Sequence, residues 1–345
     1  MHARVYHDLF PSIVAPEHLF AAWEEFRNGK RSRTDVQEFA MRLEENVFSL
    51  HRDLACGNYR HGPYSAFTIC DPKQRLIHKA LVRDRIVHHA IFKVLAPLFE
   101  STFIAHSFSC RVGKGTHRAV SALETMLQQA SRNGTRNCFA LKCDVYRFFA
   151  SVDHEILLSL LRRRIGDRRA MELLTEIITS FGAVKGLPIG NLTSQLFANV
   201  YLSELDQFIK HHLRVRHYVR YTDDFVIVSD DMEYLRKLIP AIGAFLRDAL
   251  HLSLHPQKVT IRKYRQGVDF LGYVLLPRHR MLRTRTKRRT FRKLRSCVSE
   301  CRNGRRSAES VEGSLCSYLG VLSHADAYLL AQSLRNRYWF WMHSC

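Results

Sequence analysis

Two adjacent carboxylates inside a run of strand-forming residues constrain this chain more than any other stretch. Asp223-Asp224 sit within His217-Tyr218-Val219-Arg220-Tyr221-Thr222-Asp223-Asp224-Phe225-Val226-Ile227-Val228-Ser229. Apolar and β-branched residues on both sides of a short polar break predict strand, tight turn, strand, with the aspartates at the tip. Neighbouring carboxylates repel one another. A cation held between them and a third carboxylate would relieve that repulsion. An ordinary Asp-Asp turn is the competing reading, and four residues alone do not choose between the two.

The charge balance narrows the choice. Lysine and arginine total 53 against 32 acidic residues, a formal net charge of +21. So basic a chain is most simply explained by a polyanionic partner, usually nucleic acid. An anionic membrane surface fits less well, because the basic residues are spread along the chain and no basic amphipathic terminal helix stands out. No apolar run approaches the roughly 20 residues needed to cross a bilayer. The opening residues, Met1 to Asp8, lack a signal-peptide apolar region, so a cytoplasmic protein is expected. The nine cysteines form no Cys-x-x-Cys pair, and no histidine pair near Cys297 and Cys301 completes a zinc site. All nine are expected reduced and mostly structural, and the 19 histidines show no His-Glu-x-x-His spacing.

At 345 residues the chain has room for two or three subdomains around a large core. Residues 1–65 read as helical, with Phe20, Trp23, Phe26, then Val36, Phe39, Leu43, Val47 and Leu50 at three- and four-residue steps. Ala66 to Ile77 turns extended, a hairpin with a basic tip at Asp71-Pro72-Lys73. A helix is expected from Lys79 to Phe99, then a basic loop, Arg111 to Arg118, opening a helix over Ala119–Ala130. Phe139 to Val145 reads as a buried strand with Asp144 at its exit. A helix begins at His154, with Asp153 suited to cap it. Gly186 to Asn191 is a loop, and Leu192 to Leu213 a helix. Met232 to Leu250 is another, followed by a final hairpin of Val259–Lys263 with Val268–Leu276. From Met281 to Arg306 there are eleven lysines and arginines against one acid, Glu300. A solvated helix face normally carries both signs, so this run favours contact with polyphosphate. Two further aromatic-rich helices are expected over Val311–Cys345.

The strands ending in Asp144 and at Asp223-Asp224 should lie in one antiparallel sheet with helices on one face, an α+β arrangement. Three carboxylates would then meet at the sheet edge. Hard oxygen ligands without sulfur or imidazole select Mg²⁺. Two such ions can activate a hydroxyl and neutralise a leaving pyrophosphate.

These blocks together resemble a reverse transcriptase, over about Arg75 to Tyr273. Lys73 to Leu76 looks like the fingertip on the incoming triphosphate. Val82-Arg83-Asp84-Arg85-Ile86-Val87 and Ser107 to His117 are similar to the next two blocks of intron-type enzymes. Asp144 with Phe149 resembles the first palm motif, whose aromatic excludes a ribose 2′-hydroxyl. Tyr221-Thr222-Asp223-Asp224 resembles the tyrosine-x-Asp-Asp box, although Thr222 stands where small residues or methionine are more usual. Lys258 and Phe270-Leu271-Gly272-Tyr273 match the lysine and hairpin that follow. Pro188-Ile189-Gly190-Asn191-Leu192-Thr193-Ser194-Gln195 departs from the Pro-Gln-Gly and Ser-Pro of intron and retron enzymes. In that it is similar to the reverse transcriptases of diversity-generating retroelements, as are Phe270 to Arg283, ending Pro277-Arg278-His279-Arg280-Met281-Leu282-Arg283, and Ser323-His324-Ala325.

The resemblance implies a right-hand polymerase: an N-terminal helical extension (1–65), fingers (66–137), first part of the palm (138–154), a fingers/palm insertion (155–195), palm (196–280) and a basic helical thumb (281–345). It implies Asp144, Asp223 and Asp224 as catalytic, metal-binding residues for two Mg²⁺ ions, with Mn²⁺ able to substitute. Arg75, Phe149, Ile189, Gln195 and Lys258 would meet the deoxynucleoside triphosphate. On the residues alone, plain core is the lesser alternative for Phe149 and a helix start an alternative for Gln195, while Lys258 suits a solvated surface as well as a triphosphate contact. Arg283, Arg285, Lys287, Arg288, Arg289, Arg292, Lys293 and Arg295 would track the RNA–cDNA duplex.

The implied reaction is error-prone copying of a template-repeat RNA into cDNA, mutagenised at adenines, in a bacterial or phage-encoded system with a small basic accessory protein. No endonuclease, RNase H or integrase block is visible, so cleavage or integration would fall to other factors. A retron-like or phage-defence enzyme, and a non-catalytic RNA-binding module of polymerase fold, are the competing readings.

Overall fold

The structure is a computed structural model and describes residues 4–71, 73–182 and 184–343. Four helices open the chain: α1 (Leu9–Val14), α2 (Pro16–Arg27), α3 (Thr34–Met41) and α4 (Leu43–Ala55). An antiparallel hairpin of β1 (Ser65–Ile69) and β2 (Arg75–Lys79) leads into α5 (Val82–Glu100) and α6 (Thr116–Ala130). Then come β3 (Phe139–Asp144), α7 (Phe148–Ser151), α8 (His154–Arg162), α9 (Arg168–Thr179) and α10 (Leu192–Gln207), which continues as a wider π turn over Phe208–His212. β4 (His217–Tyr221), β5 (Asp224–Ser229), α11 (Met232–Leu250) and β6 (Thr260–Lys263) follow. The chain closes with β7 (Val268–Phe270), β8 (Tyr273–Leu275), β9 (Arg280–Leu282), α12 (Thr284–Arg302), α13 (Ala308–Leu322) and α14 (Tyr328–His343).

The central sheet has the order β4-β5-β3-β6, every neighbour antiparallel. Its side chains alternate between two cores, as the strand period of two requires. Leu141, Cys143, Tyr218, Phe225 and Ile227 join the large core, which takes in residues of α5, α10 and α11. Ala140, Val219, Val226 and Val228 join a second core with α6, Tyr264, Phe270 and Tyr273. The expectation of helices on one face is therefore corrected: α6 and the segment after β6 cover the other. The continuous apolar run Phe225-Val226-Ile227-Val228 carries the reason, since a strand buried on both faces has no polar side to alternate with. Full burial of each such side chain contributes about 1.5–3 kcal/mol.

A second correction concerns the final hairpin. β6 does not pair with β7. It pairs with β3, from Phe139↔Lys263 to Lys142↔Thr260. β7, β8 and β9 form their own three-stranded sheet. Gly267 lies between, at φ 87°, where an added Cβ would stand 2.7 Å from Val274. That close, left-handed turn takes the chain out of one sheet and into the next. α5 starts at Val82 rather than Lys79, because Lys79 completes β2 opposite Ser65.

The C-terminal helices α12, α13 and α14 pack around their own core of Leu294, Cys297, Val298, Val311, Leu315, Leu334 and Tyr338. Asp153 caps α8, accepting from the amides of Glu155 and Ile156. The eight described cysteines are free, and Pro72 and Cys345 lie outside the described residues. Among the described residues no helix is long and apolar enough to cross a membrane.

Candidate active site

The aspartates meet because of strand register. Asp144, the last residue of β3, pairs directly with Asp224, the first of β5. Tyr221 and Asp224 close the β4–β5 hairpin, leaving Thr222 and Asp223 as a two-residue tip. Thr222 takes φ 54°, the positive angle that the first central residue of a primed hairpin turn needs. For a β-branched residue this costs on the order of 1–3 kcal/mol, so neighbours must hold it. They do: Thr222 Oγ1 donates to Ser109 Oγ (2.7 Å), Arg220 Nη1 donates to the Thr222 carbonyl (3.1 Å), and the Val145 amide donates to the Asp223 carbonyl (3.1 Å).

Beneath the turn lies a buried ion pair that the sequence reading missed. Arg220 and Asp206 are both fully buried. Arg220 grips the Asp206 carboxylate through Nε (2.7 Å) and Nη2 (2.6 Å), and the Tyr218 hydroxyl donates to the same group (2.7 Å). Asn199 Nδ2 donates to the Ser109 carbonyl (2.8 Å), tying α10 to the segment that receives Thr222. That segment also runs along the β4 edge, where the amides of Phe108 and Arg220 donate to the carbonyls of Arg220 and His106. The signal was present: a lone arginine in an apolar strand and a lone aspartate on the core side of α10. Each looks like surface charge until the pairing is known.

Two lysines balance the carboxylates. Lys258 Nζ donates to both oxygens of Asp144, 2.9 Å each, and Lys142 Nζ lies 3.3 Å from Asp224 Oδ2. Burial, opposed by Lys142 and reinforced by the charges of Asp144 and Asp223, pushes Asp224 up to about 6. Burial and then the Asp144 charge raise Asp223 too. The three carboxyl groups therefore feel one another. They do not form a ready-made cage: no three potential ligands among the described residues converge on one point. Yet Asp224 Oδ1 is buried with no hydrogen-bond partner, and the donor set is all oxygen. An acceptor without a donor, beside two more carboxylates, fits a hard divalent cation.

Around this centre, Arg75 is exposed at the start of β2, and its charge reaches Asp223. Phe149 is half-buried on α7, and its carbonyl accepts from the Leu187 amide (2.7 Å), which joins α7 to the 186–191 loop. That loop docks on β2: the His78 amide donates to the Ile189 carbonyl (2.9 Å), and Asn191 Nδ2 donates to the His78 carbonyl (3.3 Å). Gly190 makes the approach possible. It sits at φ 121°, and a Cβ there would stand 2.8 Å from Ile77 Cγ2. Gln195 is half-buried in the first turn of α10.

A buried histidine pair secures that turn. Each ring has one N–H when neutral. His61 Nδ1 contacts the Gly62 carbonyl (2.7 Å) and must donate to it, so His61 Nε2 accepts from His88 Nε2 (3.2 Å). His88 Nδ1 then accepts from Thr193 Oγ1 (2.7 Å). Burial, then the charges of His61, His89 and Arg85, holds His88 down to about 3.

The eight basic residues at the start of the C-terminal helices do not form one free face. Arg283 pairs with Asp269 and Lys293 with Asp71, at the tip of the β1–β2 hairpin. Arg289 and Arg292 also bear on Asp71, whose carboxyl Lys293 holds below its usual range. Arg285, Lys287, Arg288 and Arg295 lie exposed, and α12 buries Thr290, Leu294, Cys297 and Val298 instead.

Residues 71–275 match the family model described as "Reverse transcriptase (RNA-dependent DNA polymerase)". The chain is similar to Protein YkfC of Escherichia coli (27% identical over 290 residues, 71% of this chain and 74% of that protein). It is also similar to the Group II intron-encoded protein LtrA of Lactococcus lactis (22% over 345 aligned positions, 78% and 56%). A third relative is the Putative COX1/OXI3 intron 2 protein of Saccharomyces cerevisiae (20% over 255, 55% and 29%). The chain thus spans about half or less of these two intron proteins.

Proposed function

This chain belongs to the reverse transcriptase family, and we propose that within it the chain is the polymerase of a diversity-generating retroelement, copying a template-repeat RNA into cDNA with errors at adenines. It is an RNA-directed DNA polymerase. The observation that carries the finer reading is Ile189. The loop that docks on β2 at His78 offers an aliphatic side chain, with its carbonyl already taken by the His78 amide. An amide there could hydrogen-bond near the incoming sugar and the templating base. An aliphatic group cannot, so wrong pairs are rejected less strongly.

In this reading residues 66–137 and 155–195 act as fingers, 138–154 and 196–280 as palm, and 281–345 as thumb. Asp144 and Asp223 would hold Mg²⁺, with Asp224 supporting them. Bound Mg²⁺ would neutralise triphosphate charge and lower the pKa of the primer hydroxyl. Lys258 orients Asp144 and adds positive charge where phosphate arrives. Arg75 neutralises the triphosphate from the hairpin. Phe149 fills the space a ribose 2′-hydroxyl would need, and Gln195 lines the pocket floor. The exposed cations of α12 hold the RNA–cDNA duplex through its phosphates. A small basic accessory protein and cytoplasmic action belong to the same proposal.

The test is primer extension on an RNA template with Mg²⁺, with Asp223→Ala as the inactive control, followed by sequencing of the cDNA. Wild-type chain should misincorporate opposite adenine, and Ile189→Gln should lower that rate. Equal error rates would sink the mutagenic reading while leaving the polymerase intact. The intron names of two relatives favour a second reading, faithful copying of an intron RNA. Low error opposite every template base would select it.

A further inference from the structure

The β4–β5 hairpin has a far end as well as a tip. His217 and Val228 pair there, four or more residues from Asp224, which at about 3.4 Å per residue is roughly 14 Å away. A cavity of about 380 Å³ opens at this end, lined by Arg132, Arg136, Arg214, Arg216 and His217, with Asp230 as its lone carboxylate. An adjoining cavity shares Arg216 and His217 and adds His106, so the two form one groove. All four arginines are exposed. Among the described residues none of them makes a side-chain hydrogen bond or ion pair, unlike Arg83, Arg85, Arg111 and Arg280 elsewhere. Two of the four stand at positive φ, Arg132 at 46° and Arg214 at 52°. Non-glycine residues occupy that region at a cost. Burial, then the charges of Arg216, Lys210 and His106, hold His217 below its ordinary value against the opposing charge of Asp230.

Guanidinium groups bind phosphate through paired N–H donors, and several around one cavity make a site for phosphodiester rather than for an isolated carboxylate. The enzyme's template is RNA, a polyanion that extends beyond the few nucleotides held at the aspartates. We propose that this arginine groove is a second RNA site, binding the sugar–phosphate backbone of a segment that lies outside the template–primer cleft. The proposal rests on RNA being the template and not on the mutagenic reading.

The test uses the full chain with the cleft first saturated by a short pre-annealed RNA template–DNA primer. Binding of fluorescein-labelled single-stranded polyuridylate is then followed by anisotropy against salt. Arg136→Glu/Arg216→Glu should weaken this second binding tenfold or more and flatten the slope of log K against log salt by about 1.4, two phosphates at about 0.7 each. Extension on the short duplex should stay within about twofold, which reads the polymerase separately. Arg31→Glu/Arg52→Glu, the same charge change at exposed positions in the N-terminal helical region, should leave both unchanged. Equal affinity and slope in the groove variant would overturn the proposal. So would displacement by polyglutamate as effective as by RNA, which would mark an acidic protein as the ligand. Should the double variant lose extension, cross-linking of wild-type chain to 4-thiouridine RNA decides: adducts on the peptides around 132–136 and 214–217 support the site, and their absence removes it.

Discussion

Thr222 gives its hydroxyl proton to Ser109 Oγ across 2.7 Å, and Thr222 is the only β-branched residue among the described non-glycine residues at positive φ. A strained turn and the bond that holds it are thus one unit. Ser109→Ala removes the acceptor. Single-turnover extension should slow about tenfold, roughly 1.4 kcal/mol of lost positioning. Thr222→Gly, which needs no such bond at this φ, should keep most of the rate in the Ser109→Ala background. Equal rates for wild type and Ser109→Ala would show that the bond does not position Asp223.

The Arg220–Asp206 pair sets a larger stake. Breaking a buried pair from one side leaves the other charge unpaired in the core, at about 3–5 kcal/mol. Arg220→Met should therefore lower the urea midpoint strongly, whereas Arg220→Met with Asp206→Leu should recover much of the loss. Additive losses in this double-mutant cycle would mean that the pair acts through other neighbours.

Gly190→Ala tests the contact between the 186–191 loop and β2. The added methyl would meet Ile77 Cγ2 at 2.8 Å on a backbone already at φ 121°. The loop must shift off β2, so KM for deoxynucleoside triphosphate should rise several-fold with a smaller fall in kcat. Ile77→Ala in the same chain should restore part of it by opening space, but not all, because the φ strain remains.

The His61–His88–Thr193 chain predicts a pH dependence of stability. His88 has its pKa depressed in the fold, to about 3 from 6.5. Its neutral form is the folded one, so the unfolded chain binds the proton first as pH falls below 6.5. Stability is full above that value and declines toward pH 3. From pH 7.5 to pH 5 the loss from this group is about 2 kcal/mol, at about 1.4 kcal/mol per pH unit. Urea unfolding at the two pH values, wild type against His88→Gln, isolates it from His89, which burial holds down to about 4. A wild-type loss equal to the variant's would remove His88 as the source.

The strands around Asp144 and Asp223 were legible because composition and period both point to buried strand. Their register was not. Asp144↔Asp224 depends on a pairing between residues eighty positions apart, which no local pattern encodes. The ends of helices with an evident cap, as at Asp153, were readable for the same local reason. Arg220 and Asp206 escaped notice because a charge's partner, not its type, decides whether it can be buried. The parting of β6 from β7 also escaped. A glycine between two apolar runs predicts a hairpin equally well whether the runs pair or diverge, and only the neighbours, β3 for one and β8 for the other, choose.

The ion pair between Lys293 and Asp71 has a topological consequence. It joins the tip of the β1–β2 hairpin to α12. Both are otherwise anchored to the body, the hairpin through Ile189 and Asn191 and the helix through Arg283 on Asp269. Together with the central sheet they close a ring. A nucleic acid with free ends can be threaded through a ring, but one without must wait for a gap. Because the charges that clasp Asp71, Lys293 with Arg289 and Arg292 behind it, are partly exposed and screened by salt, the ring should act as a gated hoop: easily opened at loading, and slow to let the strand slip sideways once closed.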